Sequence, residues 1–239
     1  MFKKNILLKI IKSNNISTQK KSIVAIPQKS PIDVIPQKPS IVAIPQKPPI
    51  DVIPQKPSIV VIGNGPSVLN NNYGDVIDKF DEVVRINHYK PSINVGSKLT
   101  IFFCSSFKTI YYKDVPLLSK KIIIWDENNV KTPYNNLPIT EIIDKKPIQN
   151  LLYNEFNFNI FPKHPWCSTG IATLMYLILS DKYNTIYIYG FDNLIKNEKT
   201  HYFEDVINKI SMHSPVLEKN FIEHYIKLGK LCKLETIKL

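Results

Sequence analysis

One histidine in the carboxyl-terminal part of the chain has a neighbour that suits proton transfer. His213 is followed five positions later by Glu218, in a segment predicted to be helical, so the carboxylate could orient the imidazole ring. A neutral imidazole can take a proton from a hydroxyl near neutral pH. His201 begins a second short run, His201-Tyr202-Phe203-Glu204. His213 is therefore a candidate for acid–base chemistry, whereas a lone histidine in such a chain is usually a surface residue.

A loop and a helix start could bind a polar or anionic ligand. The apolar run Ile59–Ile62 ends in Gly63-Asn64-Gly65, where the glycines let the backbone approach a ligand and the asparagine offers an amide. Ser168 is a natural cap for a helix that begins near Thr169, and the free backbone donors at such a start suit an anion. Taken alone, the loop is more often a plain turn and the serine only a cap.

Arg85 is the one arginine in a chain with 30 lysines. Since lysine supplies the positive charge everywhere else, a retained guanidinium indicates a position that needs its planar set of donors. A buried structural ion pair is the favoured interpretation, ahead of a ligand contact. Asn87 lies two positions further along the same predicted strand and is expected to share the face of Arg85.

Four segments, in this order, resemble the motifs of the animal-type sialyltransferases, family 29 of the glycosyltransferases. The first contains the strand with Gly63-Asn64-Gly65, the acidic stretch from Asp75 to Asp81, and Arg85-Ile86-Asn87. The second runs from Ser168-Thr169-Gly170 through an apolar helix to Gly190-Phe191. His201 to Glu204 matches the third motif, and His213 with Glu218 matches the very small fourth one. The resemblance covers residues 58–239.

The resemblance implies an inverting glycosyltransferase that moves a sialic acid from CMP-sialic acid to a sugar hydroxyl of a glycan acceptor. It implies that His213 is the general base, that His201 acts at the leaving phosphate, and that Glu218 and Glu204 are orienting groups. The donor-binding residues that it implies are Asn64, Gly65, Asn87, Trp166, Ser168, Thr169, Gly170 and Gly190. Tyr153 is the only residue between positions 107 and 162 that we place near the donor. The family uses no metal or other cofactor, and the chain contains no Asp-x-Asp metal clamp.

The chain departs from the family pattern at two places. Trp166-Cys167 stands before Ser-Thr-Gly, where the family usually has Tyr-Pro, and a tryptophan can stack but offers no hydroxyl to a phosphate. The positions of the family disulfide are not cysteine, and Cys104, Cys167 and Cys232 show no paired spacing. Because the sequence also shows no legible signal anchor, this departure favours the cytoplasm or another reducing compartment.

Three other interpretations stay open. The bacterial sialyltransferases of family 42 also have Gly-Asn-Gly-Pro-Ser after their first strand, as at positions 63–67, but lack the full Ser-Thr-Gly and His-Tyr-Phe-Glu patterns. A catalytically inert nucleotide-binding module is third, because the stretch between positions 107 and 162 is short for an acceptor platform. An interaction protein that acts through its repeat tail is fourth.

The order of the predicted elements indicates an α/β domain with a mostly parallel sheet and helices on both faces. We predict a single Rossmann-like domain at 58–239, a variant of the GT-A type, with ligands beyond the carboxyl ends of the strands. The predicted strands are Ile59–Ile62, Glu82–Asn87, Leu99–Cys104, Lys121–Trp125, Thr185–Tyr189 and Leu231–Glu235. The predicted helices are Val76–Lys79, Pro138–Ile143, Thr169–Asp181, Phe203–Ile210 and Pro215–Leu228.

Residues 1–57 form a basic, proline-rich tail. Four nine-residue units, each beginning Ile-Pro-Gln-Lys, run from Ile26 to Val61, and their prolines exclude a helix or a central strand. This composition favours an extended, disordered spacer over a partner-docking site. The tail carries 10 basic and 2 acidic residues, a balance of +8, against 21 and 18 in the remainder, a balance of +3. Because the basicity belongs mainly to the tail, we predict no nucleic-acid partner for the domain.

No apolar run in the sequence is long enough for an integral membrane span, which needs roughly 20 residues. The longest early run, Ile6 to Ile11, is interrupted by Lys9. Residues 1–12 are best interpreted as a frayed terminus. The alternative is peripheral membrane contact, with these residues lying on the surface as a short amphipathic helix.

Overall fold

The structure is a computed structural model that describes residues 56–105, 119, 121–126, 141–156, 167–192, 201–203 and 213–237, with the backbone alone for 121–126 and 142. The predictions for the repeat tail and for membrane contact through residues 1–12 lie outside these residues. Within the described ranges, no helix combines the length and the apolar character that crossing a membrane requires.

The described residues contain a seven-stranded sheet in which every neighbouring pair of strands is parallel. Along the chain the strands are β1 Ile59–Ile62, β2 Glu82–Ile86, β3 Ile101–Cys104, β4 Lys121–Asp126, β5 Glu141–Asp144, β6 Ile186–Tyr189 and β7 Leu231–Lys233. Across the sheet their order is β5-β4-β3-β2-β1-β6-β7. The Rossmann-like α/β fold predicted from the alternation of strands and helices is confirmed.

The strand β1 lies inside the sheet, at the point where the strand order reverses. Ile62 pairs with Arg85 of β2 on one side and with Tyr189 of β6 on the other. All four residues of β1 are buried, which is typical of a parallel strand covered on both faces. Ligands in open α/β sheets bind at such a reversal, beyond the carboxyl ends of the strands. The fold therefore places a crevice between the loops that follow β1 and β6.

Successive residues of β1 belong to two separate cores, because side chains alternate along a strand. Ile59 and Val61 belong to a large core with residues of three helices, α2 Lys146–Phe156, α3 Thr169–Ser180 and α4 Pro215–Lys227. Val60 and Ile62 belong to a smaller core with residues of α1 Gly74–Ile77 and of two 3-10 helices, Pro66–Asn70 and Leu234–Thr236. The sheet is thus covered on both faces, as predicted.

The helix α3 fills the centre of the larger core. Seven consecutive residues, Ile171–Leu177, are buried, and the hydroxyl of Ser168 caps the helix start by accepting from the Ile171 N–H at 3.2 Å. Asp181 ends the helix in the left-handed conformation, with a φ of 51°. Both the buried helix and its serine cap were predicted and are confirmed.

The prediction of a helix at Pro138–Ile143 is wrong. The strand β5 begins at Glu141, and the helix α2 follows only at Lys146. Ile142 and Ile143 are β-branched and favour a strand, and the segment is too short for a stable helix. Asp144 Oδ1 accepts from the Lys146 N–H at 2.9 Å and so forms the turn between the two elements.

The other described elements that we predicted begin and end within two residues of their predicted bounds. Phe203, the first residue of the helix predicted at Phe203–Ile210, lies in a turn, and residues 204–210 lie outside the described part of the chain.

The internal position of β1 generates a prediction about truncation. A chain that begins at Lys56 keeps β1 and the Ser58 N–H, which donates to the Asp81 carboxylate at 2.8 Å. Such a chain should fold and unfold thermally at nearly the same midpoint as the full chain. A chain that begins at Gly63 should remain unfolded by circular dichroism, because β2 and β6 would each lose the backbone partner that lies between them. A folded Gly63 chain, or an unfolded Lys56 chain, would contradict this view of the domain.

Candidate active site

The loops that follow β1 and β6 are joined by backbone hydrogen bonds. The Gly63 N–H donates to the Tyr189 carbonyl at 2.7 Å, and the Gly65 N–H donates to the Gly190 carbonyl at 2.9 Å. The two Gly-containing loops therefore share the carboxyl edge of the sheet, as the sequence predicted from their positions after strands.

Two glycines are required by this close contact. A Cβ on Gly63 would lie 2.3 Å from the Gly190 carbonyl oxygen. Gly190 has a φ of 73°, in the left-handed region that favours glycine, and a Cβ there would lie 2.4 Å from Val68 Cγ1. We expected the glycines to let the backbone approach a ligand. In the structure, they let one loop approach the other.

Asn64 and Asn87 follow neighbouring strands and lie at the same edge. The Asn64 side-chain amide donates to the Ile86 carbonyl at 3.0 Å and so ties the loop after β1 to the end of β2. Asn87 Oδ1 accepts from the Ser105 N–H at 2.8 Å. Within the described residues, Asn64 Oδ1 and Asn87 Nδ2 make no hydrogen bond, so each side chain keeps one polar atom for a ligand.

Asn87 does not continue β2, which ends at Ile86. Its φ is 53°, in the left-handed region that asparagine tolerates better than most residues. The alternation of faces along a strand therefore stops before Asn87, and the expectation that it shares the face of Arg85 is wrong.

Arg85 is fully buried and binds the loop that precedes β3. Its Nη2 donates to the Val95 carbonyl at 2.6 Å and to the Lys98 carbonyl at 3.2 Å. Its guanidinium carbon lies 4.9 Å from the centre of the Tyr89 ring, at cation–π distance. The role is structural, as favoured from the sequence, but the hydrogen-bond partners are carbonyls and not a carboxylate.

Asp78 binds backbone N–H groups of the same loop. Its carboxylate accepts from the N–H of Ser97 at 3.0 Å and of Lys98 at 2.9 Å. Burial lowers the pKa of Arg85, and the charge of Asp78 is among the nearby groups that act in the opposite direction. Arg85 and Asp78 thus fix one loop by its carbonyls and its amides respectively.

The run His201–Phe203 docks on the loop after β1. The Tyr202 N–H donates to the Asn64 carbonyl at 2.9 Å. The Tyr202 hydroxyl donates to the Lys90 carbonyl at 2.6 Å and accepts from the Lys90 N–H at 2.7 Å. The third motif therefore lies beside the first.

The rings of two histidines stack with Phe203, beside the loop after β1. The Phe203 ring centre lies 5.3 Å from that of His201, with the planes 7° apart. It lies 6.1 Å from that of His88, with the planes 22° apart. His88 was not predicted as a site residue, although its position directly after Asn87 was a usable signal.

One carboxylate ties the start of α3 to the first turn of α4. Glu218 Oε1 accepts from the Ser168 N–H at 3.0 Å, and Glu218 is only 4% exposed. The backbone donor that we expected to be free for an anion at Ser168 is therefore occupied. The N–H groups of Thr169 and Gly170, as at any helix start, have no hydrogen-bond partner among the described residues.

Charged groups meet around this carboxylate. Burial raises the pKa of Glu218, while the charge of His213, the hydrogen bonds from Ser168 and the charge of Lys145 act against this rise. Lys145 directly precedes α2 and is 7% exposed. The starts of α2, α3 and α4 thus converge, and His213 lies near Glu218 as their spacing suggested.

Three predicted site residues are not among these contacts. Trp166 and Glu204 lie outside the described residues. Tyr153 lies on α2 and is 42% exposed. It is roughly 12 Å along the helix axis from Lys145, and a helix that follows a parallel strand runs back from the carboxyl edge. The placement of Tyr153 near the donor stays a prediction.

Three residues at this edge were not predicted as site residues. Tyr202 lies within the third motif, between His201 and Phe203. Asp192, whose carboxylate accepts from the Ser67 N–H at 2.8 Å, directly follows Gly190-Phe191. Lys145 lies in a stretch without any motif, and nothing in the sequence indicated that it would approach Glu218.

No protein-family profile matches the chain, and no curated protein sequence does. Among solved structures, a mammalian sialyltransferase is 20% identical over 74% of this chain and 68% of its own, with a TM-score of 0.50. The sialyltransferase CstII from Campylobacter jejuni, in complex with a substrate analogue, cytidine-5'-monophosphate, is 19% identical over 76% of this chain and 81% of its own, with a TM-score of 0.53. A structure of CST-II with a trisaccharide acceptor and CMP is 18% identical over 74% and 80%, with a TM-score of 0.50. The chain therefore has the fold of the sialyltransferases that its motifs resemble.

The buried Glu218 generates a prediction about pH. Because burial raises its pKa, the folded chain holds this proton more tightly than the unfolded chain does. This group therefore lowers the free energy of unfolding as the pH rises above the ordinary range of a glutamate. Glu218→Gln keeps an oxygen that can accept from Ser168 and removes the titration. Relative to the wild type, the variant should gain stability as the pH rises above about 4, the ordinary pKa of a glutamate, in urea unfolding experiments.

Glu223→Gln is the matched control. Glu223 lies on the same helix, and its exposed side chain pairs with Lys219 at 3.8 Å. Its stability difference from the wild type should stay nearly constant over the same pH range. A difference for Glu218→Gln that is flat, or that falls as the pH rises, would contradict the raised pKa.

Proposed function

We propose that the chain is an inverting sialyltransferase that uses CMP-sialic acid as donor and a glycan hydroxyl as acceptor. The observation that carries the proposal is the hydrogen bond from the Tyr202 N–H to the Asn64 carbonyl. It joins the third sialyltransferase-like motif to the first at the carboxyl edge of the sheet. The bond from Gly63 to Tyr189 joins the first motif to the second, and the bond from Ser168 to Glu218 joins the second to the fourth.

The donor nucleotide would lie in the crevice beyond β1 and β6. The fold supports this position, because ligands of open α/β sheets bind where the strand order reverses. CstII has been crystallised with CMP, which makes the same nucleotide the first ligand to test on this chain.

Several polar atoms at this edge make no hydrogen bond within the described residues, and they suit the nucleoside and the phosphate of such a donor. Asn64 Oδ1 and Asn87 Nδ2 can accept from and donate to ribose hydroxyls or the base. The N–H groups of Thr169 and Gly170 lie at a helix start, where a phosphate is favoured. Gly65 and Gly190 set the shape of the two loops, and Trp166 is proposed to stack on the nucleotide.

The two histidines of the motifs would have separate roles. His201 is held by its stack on Phe203, next to the Tyr202–Asn64 contact, and we place it at the leaving phosphate. His213 lies beside Glu218 at the start of α4, and we place it at the acceptor hydroxyl.

The proposed reaction is a single displacement. His213 takes the proton of the acceptor hydroxyl while the hydroxyl oxygen attacks the anomeric carbon of the sialic acid. The bond from that carbon to the phosphate oxygen breaks, and both of its electrons leave with cytidine monophosphate. The charge that develops on the phosphate is stabilised by the amides of α3 and by His201.

A bacterial-type sialyltransferase is the second candidate. The loop of residues 63–67, Gly-Asn-Gly-Pro-Ser, matches the bacterial pattern, and CstII shares the fold with a TM-score of 0.53. The likeness to solved structures does not separate the two classes, because both the mammalian and the bacterial enzymes share the fold.

Incubation with CMP-sialic acid tests the proposed reaction and its need for metal together. We expect release of CMP, slowly to water and faster with a glycan acceptor, and the same rate in excess chelator. The reason is that amides and imidazole are proposed to meet the phosphate charge, where many sugar-nucleotide transferases use a carboxylate-bound metal. No release of CMP would overturn the enzyme proposal. Activity that is lost with chelator and restored by manganese would indicate another class of transferase.

Substitution of the two histidines should separate their roles. His213→Ala should lower transfer by about a hundred- to ten-thousand-fold, the usual contribution of a positioned base, with CMP affinity nearly unchanged. His201→Phe should weaken both CMP binding and transfer, because it keeps the aromatic stack but removes the imidazole from the phosphate. CMP binding by calorimetry and initial rates of transfer measure the two effects.

His224→Ala is the control for this pair, since His224 lies on the exposed side of α4. It should leave both CMP affinity and transfer near the wild-type values. Near-normal transfer by His213→Ala would disprove the assignment of the base and would move the bacterial-type interpretation to first place.

A further inference from the structure

Asp192 connects the loop after β6 to the loop after β1 through its side chain. One carboxylate oxygen, Oδ2, accepts from the Ser67 N–H at 2.8 Å, and the other, Oδ1, accepts from the Ser67 hydroxyl. The two residues are 125 positions apart in the chain, and both are half-buried. The interaction is therefore a tertiary contact between the two walls of the crevice.

The helix at Pro66–Asn70 needs such an acceptor from elsewhere. Gly65 stands at its N-cap and has no side chain that could accept from the first turn, and no side-chain cap is present within the helix. Pro66 has no N–H, so the Ser67 N–H is the first unsatisfied donor of the helix. Asp192 supplies the capping oxygen that the local sequence lacks.

The Asp192 carboxylate also packs directly on Gly65. A Cβ on Gly65 would lie 2.4 Å from Asp192 Cγ, so no other residue fits beneath the carboxylate without displacement. The Tyr189 hydroxyl donates to the Val68 carbonyl at 2.9 Å and holds the next residue of the same helix. The helix start is thus fixed from the β6 side by two side chains.

Asn64 stands immediately before this fixed segment. Its carbonyl accepts from Tyr202 and its amide donates to Ile86, so its other side is held by the third motif and by β2. A shift of Gly65 and Ser67 would move Asn64 out of these bonds, because only two peptide units separate Asn64 from Pro66.

We infer that Asp192 is a positioning residue for the donor-binding loop. By capping Ser67 it holds Gly65 and Asn64 in the conformation that presents Asn64 Oδ1 to the donor nucleotide. The inference rests on the proposed function for the identity of that nucleotide. In this arrangement both oxygens of the Asp192 carboxylate accept hydrogen bonds from Ser67.

Calorimetric titration with CMP and turnover of CMP-sialic acid test the inference on the full chain. Asp192→Ala removes both bonds and should weaken CMP binding by at least about tenfold, the factor expected when hydrogen bonds to a charged group are lost. Asp192→Asn should stay within about threefold of the wild type, because its oxygen can accept from the Ser67 N–H and its amide can donate to the hydroxyl. In turnover, Asp192→Ala should raise KM for the donor more than it lowers kcat.

A double-mutant cycle isolates the contact. Ser67→Ala removes the hydroxyl bond alone and should have a smaller effect than Asp192→Ala, and in the Asp192→Ala background it should add almost nothing. Glu235→Ala is the control, because Glu235 is an exposed carboxylate on the same cavity of about 230 Å³ that Asp192 and Ser67 line. Its CMP affinity should equal that of the wild type.

Amide hydrogen exchange, measured without ligand, tests the positioning role of Asp192 independently of the proposed function. Asp192→Ala should speed exchange at Ser67 and Val68 by about tenfold or more, while Asp192→Asn and residues 171–177 of α3 keep the wild-type rates. If the wild type does not bind CMP but this pattern appears, the proposed donor is wrong and the positioning role stands. If Asp192→Ala changes neither CMP affinity nor exchange at Ser67, the inference is overturned.

Discussion

Two backbone hydrogen bonds between the loops after β1 and β6 are the constraint on which the remaining site contacts depend. They hold Gly63 and Gly65 against Tyr189 and Gly190 at a separation that leaves no room for a Cβ on Gly63. Because the loops touch, Asn64 is within reach of β2 on one side and of Tyr202 on the other. If the loops after β1 and β6 lay further apart, the first motif would lose its contacts with both the second and the third motif.

A second junction organises the other wall of the site. The helices α2, α3 and α4 meet at their starts around the buried carboxylate of Glu218. A buried carboxylate is costly unless donors and positive charge surround it, and Ser168, His213 and Lys145 provide them. His213 therefore stands in an environment that is set by three helices.

The sequence predicted the features that depend on local pattern. β1 and α3 followed from apolar runs of the right length, and Ser168 was recognisable as a cap. A helix was predicted at Pro138–Ile143 because a short apolar run is compatible with both structures, and the β-branched Ile142 and Ile143 lie in the strand β5. The site contacts were harder, since bonds such as Ser67–Asp192 join residues 125 positions apart, and spacing along the chain carries no information about them. The motifs were recognisable by their order, but nothing in the sequence indicated that Glu218 would accept a hydrogen bond from the Ser168 N–H.

The pairing of β1 with β6 has a consequence for the nascent protein. Among the strands that the structure describes, β1 is the first to be synthesised, yet one of its two neighbours, β6, is the sixth. Until β6 emerges from the ribosome, β2 is the one described strand that can pair with β1, and the other edge of β1 presents N–H and carbonyl groups that β6 will later bind. The crevice therefore comes into existence only late in translation. Contacts between residues as far apart in the sequence as β1 and β6 are also slow to form. The exposed edge of β1 therefore needs protection from other strands while the chain folds.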